Sequence, residues 1–142
     1  MWFLIALGVV VLVLAYVRLA PSDPDRWHQA AMPSGTESKE FARGYVWRKP
    51  ITGDGRAEMA RLDQVAMVTD RTERLAGSVE AQQITYVTRS KVFGFPDYTT
   101  VSVIDGPDGT NILEIYGRLR FGRSDLGVNA NRIKSWVAAA QL

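Results

Sequence analysis

With 142 residues, of which about the first twenty are apolar, the chain has room for one core and not for two full domains. A hydrophobic fraction of 46% and a charged fraction of 23% belong to a chain that folds, not to a disordered one. Seventeen Lys and Arg against fifteen Asp and Glu leave a net charge of +2, too near balance to imply a nucleic-acid partner; the lack of cysteine excludes disulfides, zinc ribbons, iron–sulfur clusters and thiol nucleophiles.

Residues 2–17 read WFLIALGVVVLVLAYV without a charge, and the apolar character resumes at Leu19 and Ala20. At helical rise, residues 1–20 reach about 30 Å, the hydrocarbon thickness of a bilayer. The segment therefore reads as a single transmembrane anchor, with Arg18 able to snorkel and Trp2, Tyr16 and Trp27 suited to the interfaces. A cleaved signal peptide and a buried core helix are the alternatives. No Lys or Arg precedes Arg18, and Arg18 occupies the minus-three position of the only small-residue site, so the sequence is a poor cleavage substrate.

The expected location is the inner membrane of a bacterial cell. Two signals oppose each other on its side. Arg18 and Arg26 follow the helix, which favours a cytoplasmic domain, while a short N-terminal tail before a long soluble domain is the usual product of a signal-anchor. The periplasmic side is the one preferred.

Residues 21–40 contain Pro21, Pro24 and Pro33 among serines and acidic residues, and read as a connector. Asp23 before Pro24 predicts a short helix to about Ala31. Tyr45, Val46 and Trp47 predict a strand that Pro50 and the Gly53-Asp54-Gly55 turn end. Met59, Leu62, Val65, Ala66 and Thr69 then recur at helical spacing and predict an amphipathic helix of about four turns.

From residue 73 to 121 the pattern changes to period two. Gln83–Lys91 and Tyr98–Ile104 predict strands, with a turn at Asp105–Gly109 before the next. There Leu113, Ile115, Leu119 and Phe121 point one way and Glu114, Tyr116, Arg118 and Arg120 the other; Gly117 marks a bulge or a close approach by another element. Asn129 is placed to cap a final helix of about three turns whose Ile133, Trp136, Val137 and Ala140 share one face. The expected fold is α+β: a transmembrane helix (1–20), a connector (21–40), and a two-layer domain (41–142) of antiparallel sheet with helices on one face.

Three segments carry a family likeness: Thr88-Arg89-Ser90, Phe93-Gly94-Phe95-Pro96-Asp97, and above all Gly122–Asn129 followed by Arg132-Ile133. Through them, roughly residues 38–140 resemble the family catalogued as domain of unknown function 1499, found in bacteria and plastid-bearing organisms. The resemblance implies a shared fold and frequent membrane association, and no activity. Many members place a second acidic residue after the one matching Asp97; here Tyr98 stands, so no adjacent pair of carboxylates forms.

The segment Arg118–Arg132 concentrates four arginines with Ser124, Asp125 and Asn129 just before a helix N-terminus. Free backbone N–H groups and the helix dipole, with Arg123 and Arg132, could hold a phosphate or carboxylate. The plainer reading is that Ser124 and Asp125 close a turn, Gly127 takes a positive φ, Asn129 caps, and the arginines are solvated or pair with Asp125 and Asp97. Arg89, Asp97 and Asp125 could also gather for acid–base work, although such clusters more often fix a fold. His28 is the only histidine and lies far along the chain from this motif, so a serine triad and a metal centre are disfavoured, and no cofactor is expected. Tyr45, Trp47, Phe93, Phe95 and Tyr98 could line an apolar pocket or belong to the core.

The candidate binding residues are thus Arg89, Asp97, Arg123, Ser124, Asp125, Asn129 and Arg132. The leading expectation is a non-catalytic accessory protein that binds another membrane or envelope protein. A carrier or sensor of a small apolar or anionic ligand, and an enzyme using Asp97, Asp125 and Arg123, are the alternatives.

Overall fold

The computed structural model describes all residues, Met1–Leu142. Helix α1 (Trp2–Leu19) stands clear of the rest, its apolar side chains exposed along most of its length. A core helix would be buried throughout; only the last turn of α1 is, through Val17, with Ala20 just beyond it. There Tyr16 meets Phe121 edge to face, ring centroids 6.2 Å apart. The helix is long and apolar enough to cross a membrane, consistent with a single-pass membrane protein.

The remainder is a mixed α+β domain built on a six-stranded antiparallel sheet. In chain order the strands are β1 (Lys39–Phe41), β2 (Gly44–Ile51), β3 (Thr72–Ser78), β4 (Gln83–Arg89), β5 (Pro96–Asp105) and β6 (Asn111–Leu119), and in space β1-β2-β6-β5-β4-β3. Helices α3 (Arg56–Met67) and α4 (Val128–Ala139) cover one face. Period-two alternation sends Ile84, Tyr86, Val101, Leu113 and Ile115 to that face, where they close on Met59, Leu62, Ala66, Ile133, Trp136 and Ala140. Tyr86 packs edge to face on Trp136, and its hydroxyl donates to Asp63 Oδ1 at 2.7 Å.

Of the two options at Gly117, close approach is the one realised. A Cβ there would lie 2.8 Å from Asn129 Oδ1 and 2.9 Å from Ile133 Cδ1, both on α4. The sheet's bulge falls in β3 instead, between Arg74 and Ala76. Gly117→Ala is expected to push α4 off the sheet and lower stability by about 2 kcal/mol, measurable by thermal unfolding; an unchanged midpoint would mean α4 has room to spare.

The opposite face is not open. Residues 21–37, including the single-turn helix α2 (Pro24–Trp27), lie across it as a strap. Arg120 Nη1 donates to the Pro21 carbonyl at 2.8 Å, and the Ser22 and Tyr98 hydroxyls are 2.7 Å apart. Trp27 stacks on Tyr98 with centroids 4.1 Å apart, and its carbonyl accepts from Arg118 Nη2. Further along, Ala31 N–H donates to Glu114 Oε1 at 2.8 Å, and Arg48 donates to the Pro33 and Glu37 carbonyls. Two expectations change here. The connector is packed against the sheet, because the polar side chains of β2, β5 and β6 supply the partners its own sequence lacks. Trp27, expected among the interfacial aromatics, spends its ring on Tyr98.

A hydrogen-bonded chain runs under the strap. Arg118 Nη1 donates to Thr100 Oγ1 at 2.8 Å, Thr100 and Thr85 hydroxyls are 2.8 Å apart, and His28 Nδ1 lies 2.9 Å from Thr85 Oγ1. Burial, and then the Arg118 charge, hold the His28 pKa below its ordinary value of 6.5. A histidine with a lowered folded pKa stabilises the fold above its unfolded pKa, and that contribution drains away as pH falls through the interval between the two values. The strap should therefore loosen below about pH 6.5, seen as a smaller amide-exchange protection factor at Ala31 once the intrinsic slowing of exchange at lower pH is divided out, and His28→Gln should remove that pH dependence.

Candidate functional site

On the helical face, the start of β5 and the start of α4 bring four of the sequence-predicted residues together. Gly127, at φ 80°, turns the chain into α4. Asp125 closes that turn: its Oδ1 accepts from Gly127 N–H and its Oδ2 from Asn129 N–H, each at 3.0 Å. The capping carboxylate is thus Asp125, and Asn129 is not the cap. Asn129 sits inside the first turn, fully buried, because its side chain is drawn inward to Asp97 Oδ2 at 3.3 Å while its Oδ1 accepts from Arg132 Nη1 at 2.9 Å. Arg132 Nη2 reaches the same Asp97 oxygen at 3.4 Å.

Burial pushes the Asp97 carboxyl above the usual carboxylate range, with the Arg132 guanidinium pulling the other way; burial likewise lowers Arg132 against the pull of Asp97. Desolvation thus outweighs the attraction on both partners, as in a buried pair that orients more than it stabilises.

The other predicted residues stand apart. Arg123 is exposed and pairs with no carboxylate, and Ser124, also exposed, accepts from Leu126 N–H at 3.2 Å within the turn. Arg89 lies on the strap face of the sheet, donating to the Gly94 carbonyl at 3.1 Å. Asp97, Asp125 and Arg123 therefore do not converge on one point. Asp125→Ala is expected to lower stability by about 1 kcal/mol through loss of the cap while leaving binding intact, as read by unfolding and cross-linking side by side.

The concave surface lies elsewhere, where the strap leaves the sheet. An open groove of about 600 Å³ is walled by Trp27, Ala30, Met32, Phe41, Tyr116 and Leu119, together with the exposed Arg43 and the buried Arg118. A second hollow of about 340 Å³ continues past Met32 toward Val46 and Arg48, sharing Phe41 and Tyr116 with the first. Arg118 lies over the Tyr116 ring, 4.4 Å from its centroid, and burial pushes its pKa down to about 10. The trough is lined mainly by apolar residues, with Arg43 and Lys39 its exposed cations.

The family described as a protein of unknown function (DUF1499) matches residues 17–139, most of the chain. The chain belongs to that family. No curated protein matches it in sequence. The DUF1499 match begins within the last turns of α1, so the family unit takes in the strap together with sheet and helices. The membrane association that the likeness implied fits the exposed apolar helix at its start.

The groove residues escaped the sequence reading. Trp27, Met32 and Phe41 come from segments without periodicity, and only the single large aromatic in a Pro-rich stretch, Trp27, hinted that the stretch is packed. Among the aromatic pocket candidates, Tyr45 and Trp47 pack against the core, Tyr98 is buried beneath the strap, and Phe93 and Phe95 are exposed.

Proposed function

We propose that this protein is a non-catalytic binding module, anchored by α1 in the bacterial inner membrane with its domain on the periplasmic side, whose trough receives another membrane or envelope protein. The observation that carries this reading is the trough itself: an open, mainly apolar surface with Arg43 exposed beside it, formed where the strap meets β1 and β6. Proteins bind one another through apolar patches bordered by polar residues. The Asp97–Asn129–Arg132 cluster, by contrast, directs its hydrogen bonds at itself. Within this reading Arg123, exposed and unpaired beside the α4 N-terminus, is the one candidate cation free to meet a partner's carboxylate.

A photo-reactive residue in place of Met32, which is 85% exposed in the trough, tests it in native membranes. One discrete adduct is expected from position 32, lost in a Phe41→Asp background, and none from the exposed Val68 at the end of α3. No adduct, or the same adduct from both positions, would overturn the proposal. The side of the membrane is read separately. The chain has no native cysteine, so Gln64→Cys on the exposed face of α3 should react with an impermeant maleimide in spheroplasts if the domain is periplasmic.

A carrier of a small apolar or anionic ligand would use the same trough. It predicts acyl chains co-purifying with the protein above the level of a control.

A further inference from the structure

The loop between β4 and β5 displays its hydrophobic residues outward. Val92 is 74% exposed and Phe93 49%, and the Phe93 and Phe95 rings stack with centroids 5.6 Å apart. This tip is held in shape. Ser90 N–H donates to the Phe95 carbonyl and Phe95 N–H to Ser90 Oγ, both at 2.9 Å, while Arg89 Nη1 holds the Gly94 carbonyl. Apolar side chains on a braced loop cost solvation continuously unless something covers them.

Its position says what does. Gly94 rests against the last turn of α1, so closely that a Cβ there would lie 3.2 Å from the Arg18 guanidinium. At the same level Tyr16 and Leu19 are exposed, and Tyr16 meets Phe121. Between loop and helix lies a hollow of about 240 Å³ lined by Arg18, Arg71, Arg89 and Lys91 with one carboxylate, Glu73. If α1 spans a bilayer, its last turn stands among the headgroups, and the loop and the hollow stand there with it. Aromatic rings favour that zone, and clustered basic side chains there attract anionic lipid.

We propose that the Lys91–Phe95 loop is a second membrane contact, its phenyl rings seated at the acyl–headgroup boundary and the basic hollow taking the phosphate of an anionic lipid. The inference rests on the anchor reading of α1. The last turn of α1 already packs on the domain, and a second contact beside it would further hold one face of the domain toward the membrane plane.

The test uses the full chain in phosphatidylcholine vesicles with and without phosphatidylglycerol. Val92→Cys carries an environment-sensitive fluorophore, and Gln64→Cys serves as the reference. Flotation first reports whether the protein is in the bilayer. Expected is quenching of the Val92 label by a lipid-borne quencher, stronger with phosphatidylglycerol, with no quenching at Gln64. Lys91→Ser should weaken the loop's anionic-lipid partition about fivefold. Protein that floats with an aqueous Val92 label overturns the second contact and leaves the anchor standing. Equal quenching in both lipids overturns the headgroup site. Protein that does not float overturns the anchor and this inference together.

Discussion

Replacing Arg48 with Met is expected to destabilise the protein by about 4 kcal/mol, the size of loss seen when a buried charge is left without its partner. Glu114 is fully buried at the centre of β6, and its Oε2 receives Arg48 Nε at 2.8 Å from a side chain itself only 8% exposed. The same guanidinium holds the Pro33 and Glu37 carbonyls, so one substitution strands a carboxylate and unties the end of the strap. The charge and the tie separate in a double variant. Glu114→Gln retains an oxygen for Ala31 N–H but removes the stranded charge, so adding it to Arg48→Met should recover about half the loss. Thermal unfolding of the detergent-solubilised chain reads both. If the two losses simply add, the pair is not the coupled unit its geometry describes.

That pair also marks where the sequence stopped being informative. Alternation along β6 correctly sent Glu114, Tyr116 and Arg118 away from the helices, and such residues ordinarily meet water. Nothing local says that the second face is covered, because the strap has little hydrophobic pattern and takes its hydrogen bonds from residues up to 99 positions away, as Pro21 does from Arg120. The helical face was legible for the opposite reason. Ile133 and Trp136 on α4, and Met59, Leu62 and Ala66 on α3, repeat at helical spacing regardless of what they touch.

Strand β3 fell inside the period-two stretch but was given no bounds of its own, because its bulge after Arg74 shifts the phase of alternation halfway along, and β1 was hidden by having only three residues. At the candidate cluster, the chemistry of the turn was readable and its division of labour was not. Asp125 and Asn129 are both good capping residues, and only the presence of Asp97, 32 positions from Asn129 in sequence, decides that Asn129 turns inward and leaves the cap to Asp125.

Trp27→Ala should lower stability by about 3 kcal/mol, near the lower end for truncating a packed aromatic because one side of the indole faces the groove. More telling is how the loss is distributed. Trp27 ties the strap by both ring and backbone: its ring stacks on Tyr98 within 12° of parallel, and Arg118 lies 5.8 Å from its centroid while bonding its carbonyl. Removing the ring takes nothing from the Met59–Trp136 core on the other side of the sheet. Amide exchange should then accelerate strongly at Ala31, whose N–H depends on the strap staying down to reach Glu114, while the central strand amides follow only the global change. Trp27→Phe keeps a stacking partner for Tyr98 and should restore most of the protection. Because Trp27 is also a wall of the groove, Trp27→Ala should abolish the Met32 adduct even under conditions where the sheet remains folded. Unchanged exchange at Ala31 would show that the polar ties alone hold the strap, and that the groove does not depend on the tryptophan for its shape.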